Sequence, residues 1–276
     1  HKLILIAEED VTLHYYCDVH SGYGDTGTST AYITFLDNMK IRYTFDISTN
    51  LVSGQNATVT NSGSAGESGD ATLYTNGSAT HTISYDADAK VGSYSLYNNT
   101  DATGSSSGYL GLPNMSLSNS NGFTYMMWIK VINANNGPWA SYVNVSNEHI
   151  YGYSLFYRPH VNTGTLSIGA SGSYLQMVTD GSTSVIGTGW HHYAVSGSNG
   201  YLVKGYVDGQ LVTSELITGA IDGKSWRYGP ITTTNGIKLF ASQTAYGALK
   251  GYMDDIRFYD EQLPDSEILR VYNETV

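Results

Sequence analysis

The sequence predicts an all-β protein, a sandwich or barrel of antiparallel strands, and three observations support that prediction. Charged residues make up only 13 % of the 276-residue chain, about half the usual quarter, while Gly and Tyr number 31 and 24. Short runs that alternate apolar and polar residues recur at roughly even spacing between turn-forming residues. One Asp-Gly pair, Asp208-Gly209, separates two such runs, which predicts a tight hairpin whose Gly adopts positive φ.

The first 37 residues contain further strand-like runs, of which Val11–Cys17 alternates most clearly. No linker rich in Pro or Ser separates them from the rest, and a piece of this size would struggle to hold a core alone. We therefore expect residues 1–37 to be a strand extension that packs on or completes a main domain at 38–276. The lone Cys17 excludes an intrachain disulfide, and we expect it to be buried.

The charge balance excludes several classes of partner. The net charge is −11 and the 13 Lys and Arg residues are scattered, whereas nucleic acid and anionic membranes need clustered basic residues. The apolar run Leu3–Ala7 is too short for a signal-peptide core or a membrane span, so we expect a soluble chain without membrane insertion. Neutral glycans or cations are compatible with this surface.

Eight motifs follow one another from residue 39 onward. They are Met39–Asp46, Lys90–Tyr97, Gly108–Pro113, Phe123–Lys130, Gly189–Val195, Tyr206–Gly209, Gly251–Tyr259 and Leu263–Ile268. Their order and spacing resemble a laminin-G-like, concanavalin A-type lectin/glucanase domain over about residues 40–276. The resemblance implies a jelly-roll sandwich of two antiparallel sheets, with 48–84 as a variable loop, 90–97 as a strand, 108–113 as an edge, and Trp128, Trp190 and His192 in the core. A short closing helix is expected at Pro264–Tyr272, because Pro suits the start of a helix.

The resemblance also implies a structural calcium ion. Related families hold Ca²⁺ with an Asp after the first strand, an Asp before the last strand and nearby backbone carbonyls, which correspond here to Asp46, Asp254 and Gly92 or Ser93. Oxygen ligands of these kinds are those that Ca²⁺ prefers. The alternative is that Asp46 caps a turn and Asp254 pairs with Arg257 or a backbone amide.

We expect no enzymatic activity. Glycoside hydrolases need two carboxylates flanking the scissile bond. In enzymes of this fold they lie on one strand as Glu-x-Asp-x-(x)-Glu, and the sequence contains no such string. Motifs for a Ser or Cys nucleophile are also missing from the sequence.

Aromatic residues in loop-like segments are the candidate ligand contacts. Trp139 and Trp226 lie beside Asn, Gly or Tyr residues, and Tyr228 and Tyr142 are close to them in sequence. Loops on a rigid sandwich commonly carry function, and aromatic rings can stack on sugar faces. Alternatively, both Trp side chains cover the edge of the core.

The leading hypothesis is a secreted or cell-surface carbohydrate-binding module that is non-catalytic, calcium-stabilised and binds a glycan or glycoprotein. Six Asn-x-Ser/Thr sequons support a secreted glycoprotein only slightly, since Ser and Thr are abundant. The alternative is a structural or adhesive subunit of an extracellular fibre, coat or appendage, which self-assembles by pairing an N-terminal strand such as Leu3–Ala7.

Overall fold

A computed structural model describes the protein at residues 39–46, 55–75, 82–99, 108–113, 122–134, 140–144, 155–157, 166–170, 173–177, 187–197, 202–216, 237–240 and 249–276. The extension predicted at 1–37 lies outside these residues, so the division at residue 37 stays a prediction.

The described residues form sixteen strands and one α-helix. The strands are β1 (Met39–Tyr43), β2 (Ala57–Val59), β3 (Ala71–Tyr74), β4 (Thr82–Asp86), β5 (Ser95–Asn99), β6 (Tyr109–Gly111), β7 (Phe123–Ala134), β8 (Ala140–Asn144), β9 (Leu155–Tyr157), β10 (Leu166–Ala170), β11 (Ser173–Met177), β12 (Trp190–Gly197), β13 (Leu202–Val207), β14 (Gln210–Leu216), β15 (Lys238–Leu239) and β16 (Leu249–Tyr259). The helix is α1 (Asp265–Glu274).

Two antiparallel sheets of eight strands each make up the sandwich. The first sheet has the order β14-β13-β12-β7-β16-β5-β4, and β1 also pairs with β16. The second sheet has the order β11-β10-β9-β8-β15-β6-β3-β2. This architecture confirms the predicted two-sheet jelly-roll fold with a short C-terminal helix.

The core lies between the two sheets and follows from alternation along the strands. In β7, the odd positions Tyr125, Met127 and Ile129 point inward and are at most 1 % exposed. The second sheet contributes Leu73 and Leu110 to the same cluster. Successive side chains of a strand point to opposite faces, so the even positions of β7 lie on the outer face of the first sheet.

Helix α1 covers part of that outer face. Its Ile268 and Val271 are fully buried in a second apolar cluster with Met126, Ala194 and Tyr206 from the first sheet. The helix begins after Pro264, one residue later than expected, and its Asp265 accepts hydrogen bonds from Lys204 and Tyr206. Among the described helices, none is long and apolar enough to cross a lipid bilayer.

The predicted hairpin turn is confirmed between β13 and β14. Asp208 and Gly209 both have positive φ, 50° and 74°, as a two-residue turn matched to the strand twist requires. Asp208 also accepts a hydrogen bond from the backbone N–H of His192 at 2.9 Å, which fixes the turn against β12.

Three local expectations were wrong. The polar segment 48–84 is not one loop, because it contributes β2, β3 and the start of β4, whose Val59, Leu73 and Ile83 are buried. Residues 90–94 form a loop before β5 rather than a strand. Strand β6 lies between β15 and β3 inside the second sheet rather than at an edge. Alternation within such short segments does not reveal which neighbours will pair with them.

Replacing the buried Ile268 by Ala tests how far α1 stabilises the sandwich. We expect the Ile268→Ala variant to lose about 2–5 kcal/mol of unfolding free energy, because the truncation leaves a cavity between the helix and the first sheet. Urea unfolding of the full chain measures this loss. The exposed Asn273 on the same helix provides the control, since Asn273→Ala should change stability by less than about 0.5 kcal/mol. Equal stabilities of the two variants would contradict the packing role of α1.

Candidate functional site

Asp254 lies within β16, where the strand bulges between Asp254 and Arg257 against β7. Its side chain is fully buried. One carboxylate oxygen accepts hydrogen bonds from the backbone N–H groups of Lys90 and Val91 at 2.9 and 2.8 Å, and the other accepts one from Asp255 at 2.8 Å. Burial raises the pKa of Asp254 to about 7, against the lowering effect of the three amide donors. This carboxylate therefore titrates near neutral pH.

Asp46 reaches the same 90–94 loop from the end of β1. Its Oδ1 accepts hydrogen bonds from the backbone N–H groups of Ser93 and Tyr94. Gly92, at a φ of 73°, lies against this carboxylate, and a Cβ atom at position 92 would collide with it. The structure thus brings together Asp46, Gly92 and Asp254, the three residues that the family resemblance singles out.

The hydrogen bonds agree with the alternative for these Asp residues, in which Asp46 caps a turn and Asp254 pairs with backbone amides. Asp254 pairs with backbone amides and not with Arg257, and it lies inside β16 instead of before a strand. Carboxylate oxygens are ligands that Ca²⁺ prefers, but the loop meets both carboxylates with backbone N–H donors, which engage both oxygens of Asp254 and Oδ1 of Asp46. In the described part of the chain no group of three or more His, Cys, Asp or Glu side chains could hold a metal ion. A cation here would therefore depend on backbone carbonyls for most of its ligands.

Asp255, the next residue, is held by two arginines. It has a positive φ of 41° and is 2 % exposed. One oxygen accepts a hydrogen bond from Arg42 Nε at 2.9 Å, and the other accepts two from Arg257 at 2.9 and 2.7 Å. Burial alone would raise the pKa of Asp255, but the charges of Arg257 and Arg42 outweigh it and lower that pKa. The arrangement is a buried carboxylate held between the buried Arg257 and the partly exposed Arg42, and it connects β1 to β16.

The two neighbouring histidines face different surroundings, as expected for adjacent residues on a strand. His192 is 2 % exposed and packs between Trp128 and Tyr272, and burial lowers its pKa to about 4. His191 contacts Asp208 through Nδ1 at 2.7 Å and Thr188 through Nε2 at 3.1 Å. His192 is therefore a core residue, and His191 fixes the hairpin turn.

A strip of aromatic rings crosses the outer face of the first sheet beyond α1. We call it the Trp190 surface, and it comprises Tyr97, Lys130, Trp190, Tyr252 and Asp88. The rings of Tyr97 and Tyr252 are stacked with centroids 4.5 Å apart, and the Trp190 ring lies 5.9 Å from that of Tyr252. The three rings and Lys130 come from β5, β7, β12 and β16, and all five side chains are partly exposed.

Polar contacts hold the Trp190 surface in place. Asp88 accepts hydrogen bonds from the Trp190 indole N–H at 3.1 Å and from Lys130. The Lys130 ammonium also lies 5.2 Å from the Tyr252 ring centroid. Burial would raise the pKa of Asp88, but the hydrogen bonds from Lys130 and Trp190 lower it, so Asp88 is ionised at neutral pH. The rings are therefore oriented before any ligand arrives.

The expectation that Trp190 belongs to the core was wrong, whereas Trp128 is buried as expected. Both residues lie on the outer face of the first sheet, but Trp128 is covered by Tyr272 and donates its indole N–H to Thr275 after α1. Trp190 pairs with Lys130 beyond the reach of the helix. The alternation of Tyr97 and Tyr252 with buried Leu96 and Met253 was visible in the sequence and could have indicated this strip.

A second aromatic surface lies on the outer face of the second sheet. We call it the Tyr74 surface, and it comprises Tyr74, Tyr109, Gly111 and Lys238. The two tyrosine rings are stacked with centroids 4.5 Å apart and an interplanar angle of 22°. The Lys238 ammonium lies 4.7 Å from the Tyr109 centroid. No residue of this surface was singled out as a ligand contact from the sequence.

Of the four aromatic residues predicted to contact a ligand, Tyr142 alone lies in the described part of the chain. Trp139, Trp226 and Tyr228 lie outside the described residues. Tyr142 belongs to β8 of the second sheet, near the register shift against β9. Their role in binding therefore stays a prediction, as does the strand-pairing hypothesis, which depends on residues 1–37.

The fold and these surfaces define a concanavalin A-like jelly-roll domain with aromatic outer faces. The sequence profile of the Laminin_G_3 family, described as the concanavalin A-like lectin/glucanases superfamily, matches residues 102–269, more than half of the chain. The protein belongs to this family. A search of curated protein sequences found no match.

Three solved structures with the same fold have low sequence identity to this chain. Domain 4 of AbnA, a GH43 extracellular arabinanase from Geobacillus stearothermophilus, was determined in complex with arabinotriose. It is 20 % identical, covers 85 % of this chain and 98 % of its own, and has a TM-score of 0.53. The binding domain of botulinum neurotoxin DC, determined in complex with rat synaptotagmin II, is 11 % identical at a TM-score of 0.56. The binding domain of Paraclostridial Mosquitocidal Protein 1 is 15 % identical at the same TM-score.

The match with these two binding domains covers most of this chain but only about half of each solved structure. They cover 87 % and 86 % of this chain, but the chain spans only 52 % of each of them. At these identities the similarity shows the fold alone.

Replacing Asp255 by Asn tests the ion pair at the bulge. We expect Asp255→Asn to destabilise the domain by about 3–5 kcal/mol, because Arg257 is left buried without its partner charge. Asn has nearly the same shape as Asp and tolerates positive φ, so the loss of unfolding free energy can be attributed to the missing negative charge. Urea unfolding measures it, and Glu274→Gln, which removes the exposed Arg270–Glu274 pair, should lose less than about 1 kcal/mol. Equal losses in the two variants would show that the Asp255 pair is not a major stabilising contact.

Proposed function

We propose that this protein is a non-catalytic, extracellular carbohydrate-binding module whose sandwich is stabilised by calcium. Its family and the arabinotriose complex of the AbnA domain support a glycan as the class of ligand. An extracellular location is supported by the same family and by that domain, which comes from an extracellular enzyme.

The Trp190 surface is the observation that carries the proposal. Three adjoining, partly exposed rings form it: Tyr97 and Tyr252 are stacked on each other, and the Trp190 ring is tilted by 48° to that of Tyr252. The C–H face of a sugar can stack on such rings, while the neighbouring Asp88 and Asn99 offer hydrogen-bonding groups for its hydroxyls. Tyr97 already donates its hydroxyl to the Asn99 side chain at 3.2 Å. Because these side chains hold one another in place, they lose little conformational entropy when a ligand binds.

The charges around this strip favour an uncharged glycan. The Lys130 charge is paired with Asp88. Burial, followed by the negative charges of Asp86 and Asp88, raises the pKa of Tyr252 to about 12, so its hydroxyl stays protonated. An acidic sugar would meet an excess of carboxylates here.

The same contacts support a binding role without catalysis. Asp88 is committed to the Trp190 indole and the Lys130 ammonium, and a general acid or base needs a proton to exchange with the substrate. The carboxylate string of the hydrolases with this fold does not occur in the sequence.

Calcium is proposed at the 90–94 loop. Asp46, Asp254 and the carbonyl of Gly92 or Ser93 would hold it, and the ion would supply charge compensation for two carboxylates and a cross-link between β1, β16 and the loop. A bound cation favours the ionised form of Asp254, whose pKa burial raises to about 7. Calcium affinity should therefore rise with pH through the neutral range.

Loss of the Trp190 ring should abolish glycan binding. On an array of uncharged oligosaccharides that includes arabinan fragments, we expect Trp190→Ala to bind at least about 30-fold more weakly than the wild type, as for a central aromatic contact. The matched control is Tyr74→Ala, which removes an aromatic ring on the other sheet and should bind these sugars normally. Circular dichroism confirms that both variants fold. Unchanged binding by Trp190→Ala would refute this site, and no binding by the wild type would refute the function.

Calcium should stabilise the domain in a pH-dependent way. At a calcium concentration of about 100 times Kd we expect a gain of ~2.7 kcal/mol, or several degrees in Tm. Without calcium, the raised pKa of Asp254 means that the folded state retains a proton that the unfolded state loses above pH 4. The contribution of Asp254 to the unfolding free energy is thus present at low pH and is lost as the pH rises toward 7.

Thermal melting with and without a chelator at pH 6 and pH 8 checks this expectation. The calcium effect should be larger at pH 8, and it should shrink in Asp46→Asn but not in Asp260→Asn, which alters a partly buried pair with Lys40 away from the loop. A Tm that the chelator leaves unchanged at both pH values would exclude the ion.

A further inference from the structure

The Tyr74 surface contains a pair of tyrosines that nothing in the proposed function uses. Tyr74 on β3 and Tyr109 on β6 are register partners. Their neighbours Leu73 and Leu110 are fully buried, so both rings lie on the outer face of the second sheet. The rings are stacked face to face, with centroids 4.5 Å apart and planes inclined by 22°. The two phenols are therefore in direct contact with each other.

The position of Gly111 shows which carbon atoms of the two rings come together. A Cβ atom at position 111 would lie 2.9 Å from Tyr74 Cε2 and 3.4 Å from Tyr109 Cε2, so both Cε2 atoms border the same small space above the glycine. Each Cε2 is the ring carbon next to the one that carries the hydroxyl. These ortho carbons are the positions at which two tyrosyl radicals couple to form dityrosine.

Lys238 covers the remaining face of Tyr109. It lies on β15, which pairs with β6 on the side away from β3, and its ammonium lies 4.7 Å from the Tyr109 ring centroid. One face of Tyr109 is thus in contact with Tyr74 and the other with the lysine. A radical on Tyr109 therefore meets Tyr74 of the same chain before it can meet a tyrosine of another molecule.

Tyr74 is the member of the pair that an oxidant in solution can reach. It is 36 % exposed, whereas Tyr109 is partly buried beneath its neighbours. Burial, and after it the neighbouring Tyr74, raises the pKa of Tyr109, so its hydroxyl is protonated at neutral pH and its proton has to leave together with the electron. The stack places the second phenol directly beside the first radical.

We infer that Tyr74 and Tyr109 are a site of oxidative modification, at which a peroxidase and hydrogen peroxide form a dityrosine cross-link between β3 and β6. Each phenol loses one electron and its hydroxyl proton, and the two Cε2 radical centres form a carbon–carbon bond. The proton on each Cε2 then moves through water to the phenolic oxygen, which restores both aromatic rings. The pair loses two electrons and two protons in all, and these reduce one hydrogen peroxide molecule to two water molecules.

The cross-link gives this domain a covalent connection that its cysteine content does not allow. Cys17 is the only cysteine, so no intrachain disulfide can form. A bond between Tyr74 and Tyr109 closes a loop of the chain that includes β4 and β5 of the first sheet. Closing such a loop lowers the entropy of the unfolded state, so the modified domain should melt several degrees above the unmodified one.

The test is treatment of the full chain with a peroxidase and hydrogen peroxide, followed by mass spectrometry and peptide mapping. We expect a monomer that is lighter by two hydrogen atoms, dityrosine fluorescence, and a linked pair of peptides that contain Tyr74 and Tyr109. Tyr74→Phe and Tyr109→Phe should each lose this linked pair, because Phe keeps the ring but has no hydroxyl to oxidise. The matched control is Tyr272→Phe, which removes a partly exposed phenol on α1 and should keep the linked pair.

A second variant tests the geometry while both phenols remain. Gly111→Ala places a Cβ atom where the two Cε2 atoms lie, so the rings have to move apart. We expect a several-fold lower yield of the linked peptides than in the wild type, and circular dichroism confirms that the variant folds. Melting of the treated wild type and of the treated Tyr109→Phe variant measures the shift in Tm, which only the first should show.

Four outcomes overturn the inference. They are no linked pair in the treated wild type, cross-links only between molecules, a yield that Gly111→Ala leaves unchanged, and coupling only in the stacked pair Tyr97 and Tyr252. Peptide mapping separates the last outcome, because the linked peptides differ. No glycan takes part in the measurement, so failure of this inference is distinct from failure of the proposed function.

Discussion

The bulge in β16 is the constraint on which the rest of this structure depends. Asp254 still pairs with Trp128, but Asp255 and Ile256 interrupt the regular pairing with β7, and Asp255 takes a positive φ to do so. In a regular strand two successive carboxylates would point to opposite faces, with one of them in the apolar core. The bulge gives both carboxylates polar partners instead, three backbone amides for Asp254 and two arginines for Asp255.

Strand β16, which carries this bulge, connects the main features of the first sheet. Its partners are β1, β5 and β7, so the arginine pair, the 90–94 loop and the ring of Tyr252 all depend on the same strand. A shift of β16 by one residue would move Tyr252 to the core and expose Met253. Two buried ion-paired or amide-bonded carboxylates exclude such a shift, because each would lose its partners. The buried charges thus define the register of the face on which the proposed ligand binds.

The two outer faces differ in electrostatic character although both carry stacked tyrosines. On the first sheet Lys130 is compensated by Asp88, and Asp86 adds further negative charge near Tyr252. On the second sheet the lysine beside the rings is unpaired among the described residues.

Much of the scaffold was predictable from local patterns. Asp208-Gly209 identified the hairpin, and the family resemblance located the segments that form β7, β12 and β16 and placed Asp46, Gly92 and Asp254 beside one another. The strands in 48–84 and the internal position of β6 were not predictable, because a three- or four-residue segment carries too little periodicity to distinguish a strand from a loop.

The sequence by itself determined the fold class, the turn at Asp208-Gly209 and the residues around the 90–94 loop, because each depends on local backbone preference or on a motif. Only the tertiary structure decided which outward-facing aromatics are accessible. Trp128 and Trp190 belong to the same face of the first sheet, yet α1 buries the first and leaves the second partly exposed. Strand periodicity specifies the face of a sheet, but whether that face meets solvent depends on a helix that lies far along the chain from Trp128.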